Sequence, residues 1–98
     1  MVLYAAVDDA SRLAYTESLA DERGETAAAF LARAVGFFAQ HGIRTERVLT
    51  DNGSPFLSHA WRSACLDVGV RHRRTRPYRP QTNGKAEAMV KILLNGWA

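Results

Sequence analysis

Two carboxylates stand out by the company they keep. Asp51 closes a short run, Arg47-Val48-Leu49-Thr50, and is followed at once by Asn52-Gly53. Glu87 is the one acid in residues 71–98, among five Arg and two Lys. Carboxylates converging from different elements make a site for hard cations such as Mg²⁺ or Mn²⁺. A pair of such ions about 3.5–4 Å apart activates an attacking oxygen and stabilises a leaving one in phosphodiester chemistry. Each residue also has a plainer role open to it. Asp, Asn and Gly are preferred in turns, which suits Asp51 and Asn52. A Glu early in a helix complements the helix dipole. Asp8 offers a further carboxylate, but Asp8-Asp9-Ala10-Ser11 is turn chemistry as it stands.

The cations point to a polyanion. Residues 1–70 carry six Arg against nine acids, a net of −3, whereas residues 71–98 carry a net of +6. Arg71, Arg73, Arg74, Arg76 and Arg79 crowd together with His72 and Tyr78. Arginine grips phosphate with a bidentate fork, and Tyr78 can stack or pack at a nucleic acid surface. Lys85 is placed to meet a phosphate near Glu87, and such contacts position a duplex without reading it. Gln81 and Asn83 suit either DNA contact or a turn and cap. The competing reading of the same run is a solvated edge strand whose charges block aggregation.

Other chemistries find less support. His41, His59 and His72 fall on separate elements without zinc-ligand spacing. Cys65 is the single cysteine, so no internal disulfide can form, and a reducing, cytoplasmic setting is expected. No Ser-His-Asp arrangement is supported by spacing. No apolar run approaches about 18 residues, which argues against a membrane helix. MVLYAAVDDA meets acid too early for a signal peptide.

The elements that must position these groups follow from periodicity. Val2 to Val7 is apolar throughout, and Arg12 to Leu19 alternates, with Leu13, Tyr15 and Glu17 sharing a face. The pair reads as an antiparallel hairpin with a turn of about four residues. Gly24 to His41 places Ala27, Phe30, Leu31, Ala34, Phe37 and Phe38 at helical spacing, with Gly42 as its stop. Gly36 inside that helix suggests a close approach to a sheet. Arg47 to Thr50 is a short strand. Ser58 caps a helix over about His59 to Val68, ended by Gly69. Val70 to Thr75 is a charged, near-edge strand. Pro77 and Pro80 exclude regular structure there. From Asn83 the spacing of Ala86, Met89, Val90, Leu93 and Trp97 predicts a last helix. The order β-β-α-β-α-β-loop-α describes a single mixed α/β domain, with helices packed on a sheet.

Thr50-Asp51-Asn52-Gly53, followed by Thr75-Arg76-Pro77-Tyr78-Arg79-Pro80-Gln81-Thr82-Asn83-Gly84-Lys85-Ala86-Glu87, resembles the catalytic core of retroviral-type integrases and bacterial insertion-sequence transposases. These are DDE recombinases of RNase H-like fold. The 35 residues between Asp51 and Glu87 are the family's spacing. Val7-Asp8-Asp9-Ala10-Ser11-Arg12 resembles its early strands, so the likeness runs from about Tyr4 to Trp97. It makes the whole of residues 1–98 a partial integrase core.

The resemblance implies that Asp51 and Glu87 are the second and third members of a metal-binding triad, holding two Mg²⁺ or Mn²⁺ ions in the intact enzyme. Water would cut a phosphodiester at an element end, and the freed 3′-hydroxyl would attack target DNA. The first acid belongs on a strand before the hairpin, and that strand is expected to be missing here. Asp8, at a hairpin turn, is a poor substitute. Ala88 and Met89 stand where the family commonly has Arg and a large aromatic residue. A sheet without its first strand should expose unpaired backbone, giving marginal stability or completion by another chain. Self-association, or pairing with a full-length transposase on the nucleoid, follows from that expectation. The alternative is a non-catalytic module that binds DNA or pairs with a transposase.

Overall fold

The computed structural model of the chain describes residues 1–74 and the backbone of residues 87–93. Val2–Asp8 forms β1 and Ala14–Leu19 forms β2. They pair antiparallel, from Val2 opposite Leu19 to Val7 opposite Ala14. The turn between them is built on Asp8. Its carbonyl accepts from Arg12 N at 2.8 Å, its own N–H donates to Leu13 O at 2.9 Å, and its Oδ2 accepts from Ser11 N at 2.9 Å. Arg12 closes the turn in the left-handed region, at φ 67°.

Gly24–Gln40 forms α1, which buries Ala27, Phe30, Leu31, Ala34 and Phe38, the spacing expected of one apolar stripe. Gly42, at φ +76°, turns the chain out of it. Gly24 begins the helix against the neighbouring one, since a Cβ there would lie 2.1 Å from Ser58 Oγ. Gly36 is different. A Cβ at Gly36 would meet nothing within 4 Å, so no close approach requires glycine. Gly36→Ala is therefore expected to raise stability by about 0.5–1 kcal/mol, through lower unfolded-state entropy, as read by urea denaturation.

Arg47–Thr50 forms β3. A single 3₁₀ turn, Ser54–Leu57, leads to α2, His59–Val68. Ser58 Oγ accepts from Trp61 N at 3.1 Å and caps α2. Gly69, at φ 75°, ends it in the left-handed conformation. Arg71–Arg74 forms β4, parallel to β3 with Arg47 opposite Arg71 and Thr50 opposite Arg74. Tyr4, Ala6 and Val48 from the sheet, the stripe of α1, and Trp61 and Cys65 of α2 make one core.

The last element departs from expectation. Residues 87–93 form a strand, β5, where helical spacing predicted a helix. The sheet order is β2-β1-β5-β3-β4, with β5 at its centre. It runs parallel to β1, with Leu3 opposite Glu87, and antiparallel to β3, with Thr50 opposite Val90. The hairpin β1-β2 and the pair β3-β4 each offer an inner edge of unpaired backbone groups. One inserted strand satisfies both edges, and that outweighs a helical spacing worth a few tenths of a kcal/mol per residue. Val90 and Ile92 tolerate the extended form well. The expected gap in the sheet is thus filled by the chain's own residues. The rest of the predicted last helix, Ala86 and Trp97 included, lies outside the described residues.

Candidate site at the end of the central strands

Asp51 follows the last residue of β3 and is half-buried. Its Oδ1 accepts from Gly53 N at 2.7 Å. A Cβ at Gly53 would come within 2.9 Å of that oxygen, so glycine lets the turn close on the carboxylate. Its Oδ2 has no hydrogen-bond partner among the described residues. The Asp-Asn-Gly turn therefore uses one carboxylate oxygen. Asn52 beside it is exposed.

Thr50, 3% exposed, orders the backbone at this point. Its Oγ1 donates to Asp51 O at 2.9 Å and lies 2.7 Å from His72 Nε2. His72 Nδ1 in turn accepts from Trp61 Nε1 at 3.2 Å. The sequence places Thr50 in the motif, His72 in the basic run and Trp61 among packing residues, and does not show that the three join behind Asp51. The available signal was that His72 interrupts a run of arginines, which in a strand sends one side chain inward.

Burial, followed by the nearby charge of Arg74, pushes His72 below its ordinary value of 6.5. The folded chain thus prefers neutral His72. Its contribution to stability is complete above 6.5 and is lost as pH falls through the lower folded value. The stability of the wild type should fall on acidification from pH 7 more steeply than that of His72→Gln, as read by urea midpoints across that range.

Glu87 opens β5, the strand next to β3. Because β3 and β5 run antiparallel, Glu87 enters at the end of the sheet where Asp51 leaves. Asp8 leaves at the other end: it stands opposite Ile92, and Ile92 stands opposite Val48. Two rows and two inter-strand spacings, across β5, then separate Asp8 from Thr50, about 12 Å between Cα atoms at ordinary sheet spacings. Asp8 is 1% exposed and turned into its own hairpin. Among the described residues, no three His, Cys, Asp or Glu side chains come together as a metal site.

The basic strand is β4, which among the described residues pairs with β3 alone. Arg71, Arg73 and Arg74 are exposed, and His72 is tucked against α2. Arg47 stands opposite Arg71, which adds a cation from β3 that the sequence reading did not include. Arg76, Tyr78, Arg79, Gln81, Asn83 and Lys85 lie outside the described residues. Cys65 is buried, and burial pushes its thiol up to about 11, too high for a nucleophile near neutrality. No helix among the described residues is long and apolar enough to cross a membrane.

A family model described as the integrase core domain matches residues 1–80. That span takes in Asp51 and the basic strand and stops short of Glu87. The uncharacterized protein K02A2.6 of Caenorhabditis elegans is similar, with 36% identity over 61 residues, 62% of this chain. The chain spans only 5% of that relative's length.

Proposed function

The chain belongs to the integrase core domain family, and from that premise we propose that it is a piece of a DDE transposase or integrase that cuts and joins DNA. The observation that carries the proposal is the convergence at one end of the sheet. Asp51 leaves β3 with one carboxylate oxygen held by Gly53 N–H, and Glu87 enters on the adjacent strand. The basic strand β4 lies on the other side of β3.

Asp51 and Glu87 are hard oxygen donors, and Asp51 Oδ2, without a hydrogen-bond partner among the described residues, suits a divalent cation. These two residues would hold Mg²⁺ or Mn²⁺, which when bound supplies Lewis-acid polarisation of a phosphoryl oxygen. Two carboxylates match one ion better than two. A third acid is needed for a complete two-ion site, and Asp8, closed onto its own turn about 12 Å from Thr50 in Cα terms, does not meet that need. This favours a chain that is weakly active or inactive alone and works with a longer partner. The substrates are DNA: the ends of a mobile element and a target. Arg71, Arg73 and Arg74, with the basic residues that follow, hold the phosphates while the in-line displacement occurs.

Mn²⁺ titration of the isotope-labelled chain tests the site. Paramagnetic broadening is expected at Asp51–Gly53 and at Glu87. Asp51→Asn and Glu87→Gln should each weaken Mn²⁺ binding by at least about tenfold, since even outer-shell partners of a metal ligand set its affinity by about 10–100-fold. Any Mn²⁺-dependent nicking of DNA must disappear with either substitution. DNA binding should be salt-dependent, and each phosphate-contacting Arg changed to Ala should lower the slope by about 0.9. Salt-sensitive binding with no Mn²⁺ response at Asp51 would instead identify a non-catalytic DNA-binding module.

A further inference from the structure

A ligand carboxylate on a turn needs its backbone held, and the hydrogen bonds behind Asp51 show what holds it. Trp61 Nε1 can only donate, so His72 Nδ1 accepts. A neutral imidazole with an accepting Nδ1 carries its hydrogen on Nε2, which therefore donates to Thr50 Oγ1. The Thr50 hydroxyl is left to donate to Asp51 O. All three bonds run in one direction, from α2 through β4 to the end of β3. Trp61 is 1% exposed and Thr50 3%, so water competes poorly for either group. The Trp61 and His72 rings meet edge to face, with centroids 5.5 Å apart, which fixes the imidazole plane as well as its tautomer.

We propose that His72 is a positioning residue for Asp51. Held as the Nε2–H tautomer by Trp61, it fixes the Thr50 hydroxyl, and Thr50 fixes the peptide that carries Asp51. The carboxylate is then held with Oδ1 on Gly53 N–H. The inference rests on the reading of Asp51 as a cation ligand. It extends that reading to three residues that would never touch the ion. Groups in this relation to a ligand commonly set metal affinity within a factor of about 10–100.

Gly53 amide hydrogen exchange reads the tether directly, because that N–H is bonded to Asp51 Oδ1. Thr50→Val removes the hydroxyl at nearly constant volume and leaves the Trp61–His72 contact alone, and Thr50→Ser restores the hydroxyl. His72→Phe removes both ring nitrogens, and His72→Gln restores a donor near the Nε2 position. Gly53 should exchange roughly tenfold faster in Thr50→Val and His72→Phe, and return towards wild type in Thr50→Ser and His72→Gln. Mn²⁺ affinity should follow the same order. The amides of Phe30 and Val48 report global stability. If they accelerate as much as Gly53, or if Gly53 in Thr50→Val exchanges as in the wild type, the positioning role is overturned. Should His72→Phe not fold, the Thr50 pair decides alone. If Gly53 responds as expected but Asp51→Asn binds Mn²⁺ like the wild type, the ligand reading fails and the relay stands.

Discussion

Val90→Pro should leave the chain without a cooperative unfolding transition. Val90 sits in the middle of β5, opposite Ala6 on one side and Thr50 on the other. Proline there removes an N–H from the centre of the sheet and imposes a fixed φ, at a cost of about 3 kcal/mol or more. A domain has about 5–15 kcal/mol of stability in all, and one of this size sits near the low end. The loss is also topological. Among the described residues, β5 lies between β1-β2 and β3-β4 in the sheet, so its failure separates two half-sheets. Urea unfolding followed by circular dichroism would show the effect. A Val90→Pro chain with a wild-type midpoint would show that β5 does not pair in solution. The backbone ¹³C shifts of residues 87–93 provide the companion test, because strand and helix displace them in opposite directions.

Phe30→Ala is expected to cost about 3–5 kcal/mol. Phe30 is fully buried on α1, with ring centroids 5.3 Å from Tyr4 of β1 and 5.6 Å from Tyr15 of β2. It is the point at which the helix meets both strands of the hairpin. Truncation leaves a cavity whose walls belong to different elements and cannot all move inward. For a domain this small, the expected fall in Tm is on the order of 15–30 °C. Thermal and urea denaturation check this, and the urea m-value should stay constant if the unfolded state is unaffected. Phe30→Leu, which keeps most of the volume, should cost far less. Equal losses from Leu and Ala would place the contribution in the aromatic contacts rather than in filled space.

Most of the framework was legible from local pattern. Alternation in Ala14–Leu19 and the three- and four-residue spacing in Gly24–Gln40 each report a face that must be buried, and each was realised within a residue or two. Ser58 and Gly69 mark the ends of α2 because a cap and a left-handed residue are demanded by the helix itself. Residues 71–74 were legible as a charged edge strand for a similar reason: so much charge has no place between two other strands.

The candidate site was legible only in part. The types and the interval of Asp51 and Glu87 are properties of the chain, and so is the family to which they point. That one oxygen of Asp51 is held by the Gly53 N–H of its own turn is a property of the packed turn. The His72–Thr50 relay was invisible, because it joins α2, β4 and β3 through contacts up to 22 residues apart. Arg47 beside Arg71 depends in the same way on the register of β3 against β4.

Residues 87–93 mark the boundary between the two kinds of information. Met89, Val90 and Leu93 are spaced for a helix, and the β-favouring Val90 and Ile92 are a weak local signal against it. Two open sheet edges, formed by residues far away in sequence, make the extended form the better one by pairing backbone groups on both sides. Local chemistry determined which residues turn, cap and bury, because those costs are settled within a few neighbours. The assembled sheet decided what its centre is made of, because an unpaired edge has no cost until it is buried.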